Sequence, residues 1–545
     1  MLEGTRSPAL ENRRLWRGLL ATLLLSTITL RLIFLGWFSS LDLAQDEAHY
    51  WDWSRNLDWS YYSKGPLIAW LIRASVELFG VLSIALTGNE VMAIRLPAVL
   101  CGALLLLSLY VLSLQVFRSE RLAFLTVCFT AAAPVISACS ILATIDSPFL
   151  CIWGWALVAG HRAVFRDEHW AWAATGLLVG FGILAKYTMA LWLLSLGLFL
   201  LFQHDYRGVL LRGRFWVMVT IASLSVVPIL IWNANNDWVS FRHVAGQAGV
   251  PMANRNGSIR WLGPLEYVGG QFALLLGYWF VAWIGAMLVF RPSRNFDPGI
   301  RYLWWMSAPT FAIFGAVSIK SAGQLNWPVA AYLSGIVLAS AWLAREMSSA
   351  NTAYRRFTRI GVGLACGIGL LLTLITHDTR IVRPFLADMA RMMKKDDPLA
   401  ARRLDPTCRM RGWKYLGGEL DELRQRVRNP DGTEALIAGQ SWNLPGEIGF
   451  YCLGHPAVYS LGPFFGDRHS QYDLWRPNPI ADVESFAGKT FLVISDHEPT
   501  LRSVFAEVTP AKDVIYREAG IVVALWKIWI CREYRGASAS RNDNY

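Results

Sequence analysis

Apolar runs of about twenty residues recur along this chain and limit what it can fold into more than any other feature. "LLATLLLSTITLRLIFLGWF" (19–38) and "AIRLPAVLCGALLLLSLYVLSLQVF" (93–117) are two of them. A hydrocarbon core takes roughly 20 apolar residues per helix, so such runs read as membrane spans. Composition agrees. Only 17% of the 545 residues are charged, against about a quarter in a soluble protein. The net charge of +11 would suit a nucleic-acid binder, but Arg and Lys also collect in the short loops that membrane proteins keep in the cytoplasm. The second account needs no further assumption, and no nucleic acid is expected as a partner.

The basic clusters set the threading. "ENRRLWR", "RSER" (118–121), "HRAVFRDEH" (161–169), "HDYRGVLLRGR" (204–214), "RPSRNFDPGIR" (291–301) and "AREMSSANTAYRRFTR" (344–359) alternate with loops poor in Arg and Lys. With every cluster inside, the chain threads as about eleven helices. They fall near 18–39, 92–116, 121–138, 147–162, 170–186, 188–203, 215–232, 264–290, 302–319, 327–344 and 358–376. This puts the N-terminus on the cytoplasmic side of the membrane. The first apolar stretch has a basic lead like a signal peptide but no convincing small-residue cleavage site, so it reads as a retained helix. The segment 66–82 carries Arg73 and Glu77 and reads either as a span or as a juxtamembrane amphipathic helix. No internal repeat is visible.

Past residue 376 the chain turns polar. The short β-like runs "EALIAG" (434–439), "KTFLVISD" (489–496) and "GIVVALWKIWI" (520–530) stand among Gly- and Pro-rich turns. The expectation is a polytopic α-helical membrane domain, 1–376, with a first outer loop at 40–90, followed by an extracytoplasmic (periplasmic) α/β domain at 377–545. Three of the eight cysteines, Cys408, Cys452 and Cys531, lie in the latter. A Cys408–Cys452 bridge is permitted there, though three cysteines allow three pairings. No CxxC or His/Cys spacing suggests a metal site.

The loops left outside carry the chemistry. "LDLAQDEAHYWDWSRNLDWSYYSKGPLIAWLI" (41–72) holds Asp46, Glu47, Tyr61, Tyr62 and Lys64. The others supply Asp146 in "ATIDSPF", Lys186 in "ILAKYTMA", Arg242 and His243 in "WVSFRHVAGQAG", and Lys320, Asn326 and Trp327 in "SIKSAGQLNWPVAAY". Each residue alone has a bland account. Lysines snorkel, Asp146 could cap a helix, Arg242 could meet lipid phosphates, and aromatic residues favour the interface. Several acids and several cations gathered at one level suit transfer from a membrane-anchored phosphate donor. Cations pair with phosphate oxygens and stabilise charge developing on the leaving group, while a carboxylate takes the acceptor proton. A single displacement would invert the anomeric configuration. Tyr61, Tyr62, Asn326 and Trp327 would meet the acceptor or the sugar. The competing reading is a transporter or flippase of a lipid-linked sugar, whose signature is broken or charged helices at mid-membrane.

The pieces "QDEAHYWDWSRNLDWSYYSKGPLIAWLI", "DSPFLCIWGWAL", "GFGILAKYTMAL", "LNWPVAAY", "GFYCLGHPAVYSLG" and "HSQYDLW" resemble the bacterial dolichyl-phosphate-mannose–protein mannosyltransferase-like enzymes, which include aminoarabinose transferases of lipid A. The resemblance implies a GT-C fold and a polyprenyl-phosphate-linked sugar donor. The acceptor would be lipid A, another glycan or a protein. The resemblance maps the catalytic acid of the first outer loop onto Asp46, then Glu47, and a second acid onto Asp146. It puts Lys64 at the donor phosphate, with Lys186, Arg242 and Lys320 as further cations. Some relatives are linked to a divalent cation, and the cofactor stays open here.

Overall fold

A computed structural model describes residues 12–249, 259–393, 399–496, 498–499 and 503–536. The described chain is mostly helical, as lipid requires, because inside hydrocarbon every backbone N–H and C=O must find its partner within the protein. It begins with α1 (Arg13–Ile33), capped by the Asn12 side chain, which accepts from the Leu15 N–H. The helices α2 (Gln45–Arg55), α3 (Leu67–Thr87) and α4 (Val91–Phe117) follow. In α3 the charges at 73 and 77 form an i,i+4 ion pair of 2.5 Å, which lowers the cost of an apolar setting. Its 21 residues are long and apolar enough to cross a membrane.

Each of the eleven expected segments contains helix, but several are broken. The 121–138 segment divides at Pro134 into α5 (Glu120–Ala131) and α6 (Pro134–Cys139). Then come α7 (Asp146–Arg166), α8 (His169–Ala185), α9 (Ala190–Phe202), α10 (Gly213–Leu224), α11 (Val227–Asn235) and α12 (Val239–Gln247). The 264–290 segment is a bent pair, α13 (Gly263–Leu274) and α14 (Tyr278–Val289), with 112° between its halves. Leu276 and Gly277 both have positive φ at the corner. The helices α15 (Pro298–Val317), α16 (Val329–Glu346) and α17 (Thr352–His377) complete the set. Among the described residues six helices meet the length and apolarity of a span, or seven with the bent pair. The expected eleven therefore include shorter, broken or less apolar segments that pack within the helical body. The chain is a multi-pass membrane protein.

By its internal contacts the chain divides into two compact units: residues 1–36, 64–71 and 95–374, and residues 37–63, 72–94 and 375–545. The first is a helical body with Trp153, Trp192, Phe199 and Tyr302 fully buried at its core. Its helices α7, α9, α14 and α16 all end at arginine-rich turns, where ion pairs such as Arg214–Asp167 (2.9 Å) and Arg345–Glu346 (2.8 Å) tie the loops.

The second unit does not follow a boundary at 376, because most of the first outer loop groups with the C-terminal part. Its helices are α2, most of α3, α18 (Arg383–Met393), α19 (Ala400–Leu404), α20 (Trp413–Arg426), α21 (Leu444–Tyr451) and α22 (Val483–Phe486). The strands are β1 (Leu436–Gly439), β2 (Val458–Ser460), β3 (Phe491–Ser495), β4 (Phe505–Glu518) and β5 (Ile521–Tyr534), in the order β2-β1-β3-β5-β4. The β2-β1-β3 part is parallel, and β3-β5-β4 is antiparallel. Alternation sorts the faces. Ile437, Leu492 and Ile494 meet α20 and α21, while Ala438, Phe491 and Val493 meet Phe486 and Tyr534. The close approach of α2 to α21 depends on Gly446, where a Cβ would lie 2.7 Å from the backbone of Ala48. All eight cysteines are free, so the permitted Cys408–Cys452 bridge is not formed.

Candidate active site

In the helical unit the expected acid and cations meet at one end. Asp146 opens α7, where the helix N-terminus favours a carboxylate. Lys186 follows α8 in extended conformation and sends its Nζ to Asp146 Oδ1 at 2.7 Å. Asn326, just before α16, donates from Nδ2 to the other carboxylate oxygen at 2.6 Å. Both charges are buried. The Lys186 ammonium also lies 5.3 Å from the Phe149 ring centre. An apolar setting makes a lysine expensive unless it is paired, and this one has both a carboxylate and a ring face.

Lys64 reaches the same end through its neighbour. A Cβ on Gly65 would lie 2.1 Å from the carbonyl oxygen of Leu184, so only glycine lets the "KGP" turn rest on the last turn of α8, two residues before Lys186. The helix bearing Arg242 is held by the Phe241–Tyr187 ring contact of 5.6 Å. Lys320 lies against Gly249, which follows the same helix, and Ser321 Oγ donates to Gln247 O at 2.7 Å. Lys320 is exposed, and Trp327 packs on Phe314. An apolar cavity lined by Ile136, Trp279, Trp283, Val329, Tyr332 and Ile336 opens along α14 and α16. Val329 is three residues beyond Asn326.

In the second unit the two acids of α2 separate in role. Glu47 is wholly buried, and its Oε2 accepts from the backbone N–H of Ala44 at 2.9 Å. It closes the helix N-terminus, as a glutamate three residues into a helix commonly does. Asp46 is exposed. Tyr61 and Tyr62 were expected at a sugar surface but are buried. Tyr61 stacks on Trp53 at 4.2 Å, and its hydroxyl reaches the carbonyls of Trp53 and Asn56. The Tyr62 N–H donates to Gln471 Oε1 at 2.7 Å. The tyrosines pin the loop instead of presenting open ring faces.

Several perturbed groups near these acids were not singled out from the sequence. His49 is packed among Trp53, Tyr472 and Trp442, and burial beside Arg468 lowers it to about 3. Asp52 is pushed up to about 6 by burial, against the pull of Arg55. Glu447, in the first turn of α21, is fully buried, and among the described residues neither carboxyl oxygen is hydrogen-bonded. Burial raises it well above the usual range, opposed by Arg402 and reinforced by Asp42, Asp46 and Glu47. Clusters of shifted carboxyls and imidazoles are a mark of functional sites. For Glu447 the local signal is "PGEIG" itself, since the acids that reinforce its shift lie some 400 residues away in the chain. Among the described residues no three His, Cys, Asp or Glu side chains are grouped to hold a metal ion.

Residues 63–232 match the sequence model of the family described as dolichyl-phosphate-mannose-protein mannosyltransferase. Lipid A galacturonosyltransferase RgtD of Rhizobium johnstonii is 29% identical over 311 residues, which are 56% of this chain and 61% of the relative. The chain thus spans about three-fifths of the length of that curated relative. Two structures of ArnT from Cupriavidus metallidurans align over 94% of this chain. The apo form covers 97% of its own chain at a TM-score of 0.59 and 17% identity. The form bound to undecaprenyl phosphate covers 98% at 0.61 and 18%. Residues 63–232 thus resemble that family, and the chain shares the GT-C fold of the two ArnT structures. The matched segment runs from just before Lys64 through Asp146 and Lys186, while Asp46, Arg242, Lys320 and Asn326 lie outside it.

Proposed function

We propose that this protein is an inverting glycosyltransferase that moves one sugar from a polyprenyl phosphate to an acceptor outside the cytoplasmic membrane. The N-terminus would be cytoplasmic and the second unit extracytoplasmic. The observation that carries this reading is the buried Asp146–Lys186–Asn326 set, with the Lys64 turn packed beside it at one end of a GT-C helical body. Lys64 and Lys186 take the donor phosphate, with Asp146 and Asn326 holding Lys186 in place. Arg242 and Lys320 attract the anionic headgroup.

Asp46 is the general base. The acceptor oxygen attacks the anomeric carbon as its proton passes to the Asp46 carboxylate. The bond from that carbon to phosphate oxygen breaks, and its electron pair stays on the phosphate, where the lysines stabilise it. The rhizobial relative is a lipid A galacturonosyltransferase, which makes lipid A and a galacturonosyl donor the first pair to assay.

Purified protein in detergent, given undecaprenyl-phosphate-linked sugars and lipid A, should consume donor and form product. Asp46→Asn should fold and insert but not turn over. Full turnover by that variant removes Asp46 from the mechanism, and labelling of a cysteine at 46 only from the cytosol removes the whole reading. The bent α13–α14 pair is the one feature favouring transport. Flux of lipid-linked sugar without any consumption of it would decide for that alternative.

A further inference from the structure

The second unit contains a cavity of about 370 Å³ that the transfer chemistry above does not use. It lies at the carboxyl ends of β1 and β3. Gln440 and Ser441 follow β1, Ser495 ends β3 and Asp496 follows it, and all four line the cavity. The chain leaves β1 toward β2 on one side, while β3 pairs on the other. This makes the crevice between β1 and β3 a topological switch point, where open α/β sheets bind their ligands. The volume is within the usual range for small-molecule sites.

The lining is polar and preorganised. Gln440 Oε1 accepts from Ser495 Oγ at 2.9 Å and from the Asp496 N–H at 3.1 Å, which fixes the amide at the cavity edge. Ser441 Oγ donates to Asn443 Oδ1 at 2.6 Å at the start of α21. Two cations also line the cavity. Lys527 is the β5 partner of Ser495 in the strand register, and Arg402 comes from beyond α18. Among the described residues the side chains of Arg402 and Lys527 make neither a hydrogen bond nor an ion pair, although Asp496 lines the same cavity. Trp413 and Trp526, with ring centres 5.1 Å apart, form an apolar wall.

The pair Arg402 and Lys527 calls for an anion, even with Glu447 and Asp496 already facing Arg402, and amides and hydroxyls call for a polyol. We infer that this cavity binds an anionic saccharide, a sugar carrying a phosphate or a carboxylate. The anion would sit between Arg402 and Lys527, and its hydroxyls on Asn443, Ser441 and Asp496.

The site is formed by the second unit's own residues, and binding can be measured without donor or turnover. The inference therefore stands or falls separately from the transfer reading. The full-length protein in detergent is titrated with glucose 1-phosphate, glucuronic acid, glucose and inorganic phosphate, and binding is followed by calorimetry. The two anionic sugars should bind, each at least tenfold more tightly than glucose or phosphate. The double variant Arg402→Gln, Lys527→Gln should weaken them tenfold or more with an unchanged melting curve. Ser441→Phe, which fills the cavity from a different element, should also block them. Equal binding of glucose, or of phosphate alone, overturns the ligand class. Unchanged binding in both variants, or none at millimolar concentration, overturns the site.

Discussion

Lys186→Met separates a structural ion pair from a working one. The substitution keeps an apolar stem of similar length but removes the ammonium 2.7 Å from Asp146 Oδ1. The carboxylate is left buried, with only the Asn326 hydrogen bond among the described residues. Removing one member of a buried pair costs roughly 3–5 kcal/mol, because the survivor is an uncompensated charge. That is about two to four powers of ten in the unfolding constant at about 1.4 kcal/mol each. Asp146→Asn strands the ammonium and should cost a similar amount. The double variant carries no charge at either position and should be more stable than either single one. Independent sites depart from additivity by roughly 0.3–0.5 kcal/mol, and this pair should exceed that several-fold. Unfolding midpoints in detergent, followed by tryptophan fluorescence, give the four corners of the cycle. Additive singles, or singles costing under about 1 kcal/mol, would refute the reasoning. Turnover per folded molecule then assigns the role. A stable double variant without transfer places the pair at the donor, and one with normal transfer makes it scaffolding.

Three further outcomes follow from the second unit. Gly446→Ala places a Cβ 2.7 Å from the Ala48 backbone, which cannot yield as a side chain can. It should lower stability by roughly 1–3 kcal/mol, and an unchanged thermal melt would contradict that packing. Glu47→Ala removes the acceptor of the Ala44 N–H and should cost about 0.5–2 kcal/mol while keeping transfer per folded molecule. A folded but inactive Glu47→Ala beside an active Asp46→Asn would reverse the assignment of base and cap. Asp52 and His49 give opposing pH slopes. Asp52, at about 6 when folded against 3.8, makes the native state bind more protons, so its contribution falls as pH rises from about 4 to 6. His49, at about 3 against 6.5, makes the native state bind fewer protons, so its contribution is present above 6.5 and lost toward 3. Asp52→Asn removes the falling slope. Its unfolding midpoint should climb more steeply between pH 4 and 6 than that of the unaltered protein, and parallel curves would refute the assignment.

The helical membrane body could be read from the sequence because its signal is local. Apolar length reports the cost of leaving backbone groups unsatisfied in hydrocarbon, and arginine-rich turns mark one set of helix ends. The presence of Asp146, Lys186 and Asn326 at the opposite set followed from the same count. Their contact did not, since residues 40 and 180 positions apart meet only when α7, α8 and α16 pack together. The break at Leu276–Gly277, the burial of Tyr61 and the conversion of Glu47 into a helix cap were likewise decided in three dimensions. The same holds for the joining of the first outer loop to the C-terminal sheet. That step rests on a glycine whose missing side chain admits a backbone from 400 residues earlier in the chain. Sequence patterns record solvent preference residue by residue. Close approach and the pairing of distant charges are properties of the packed chain.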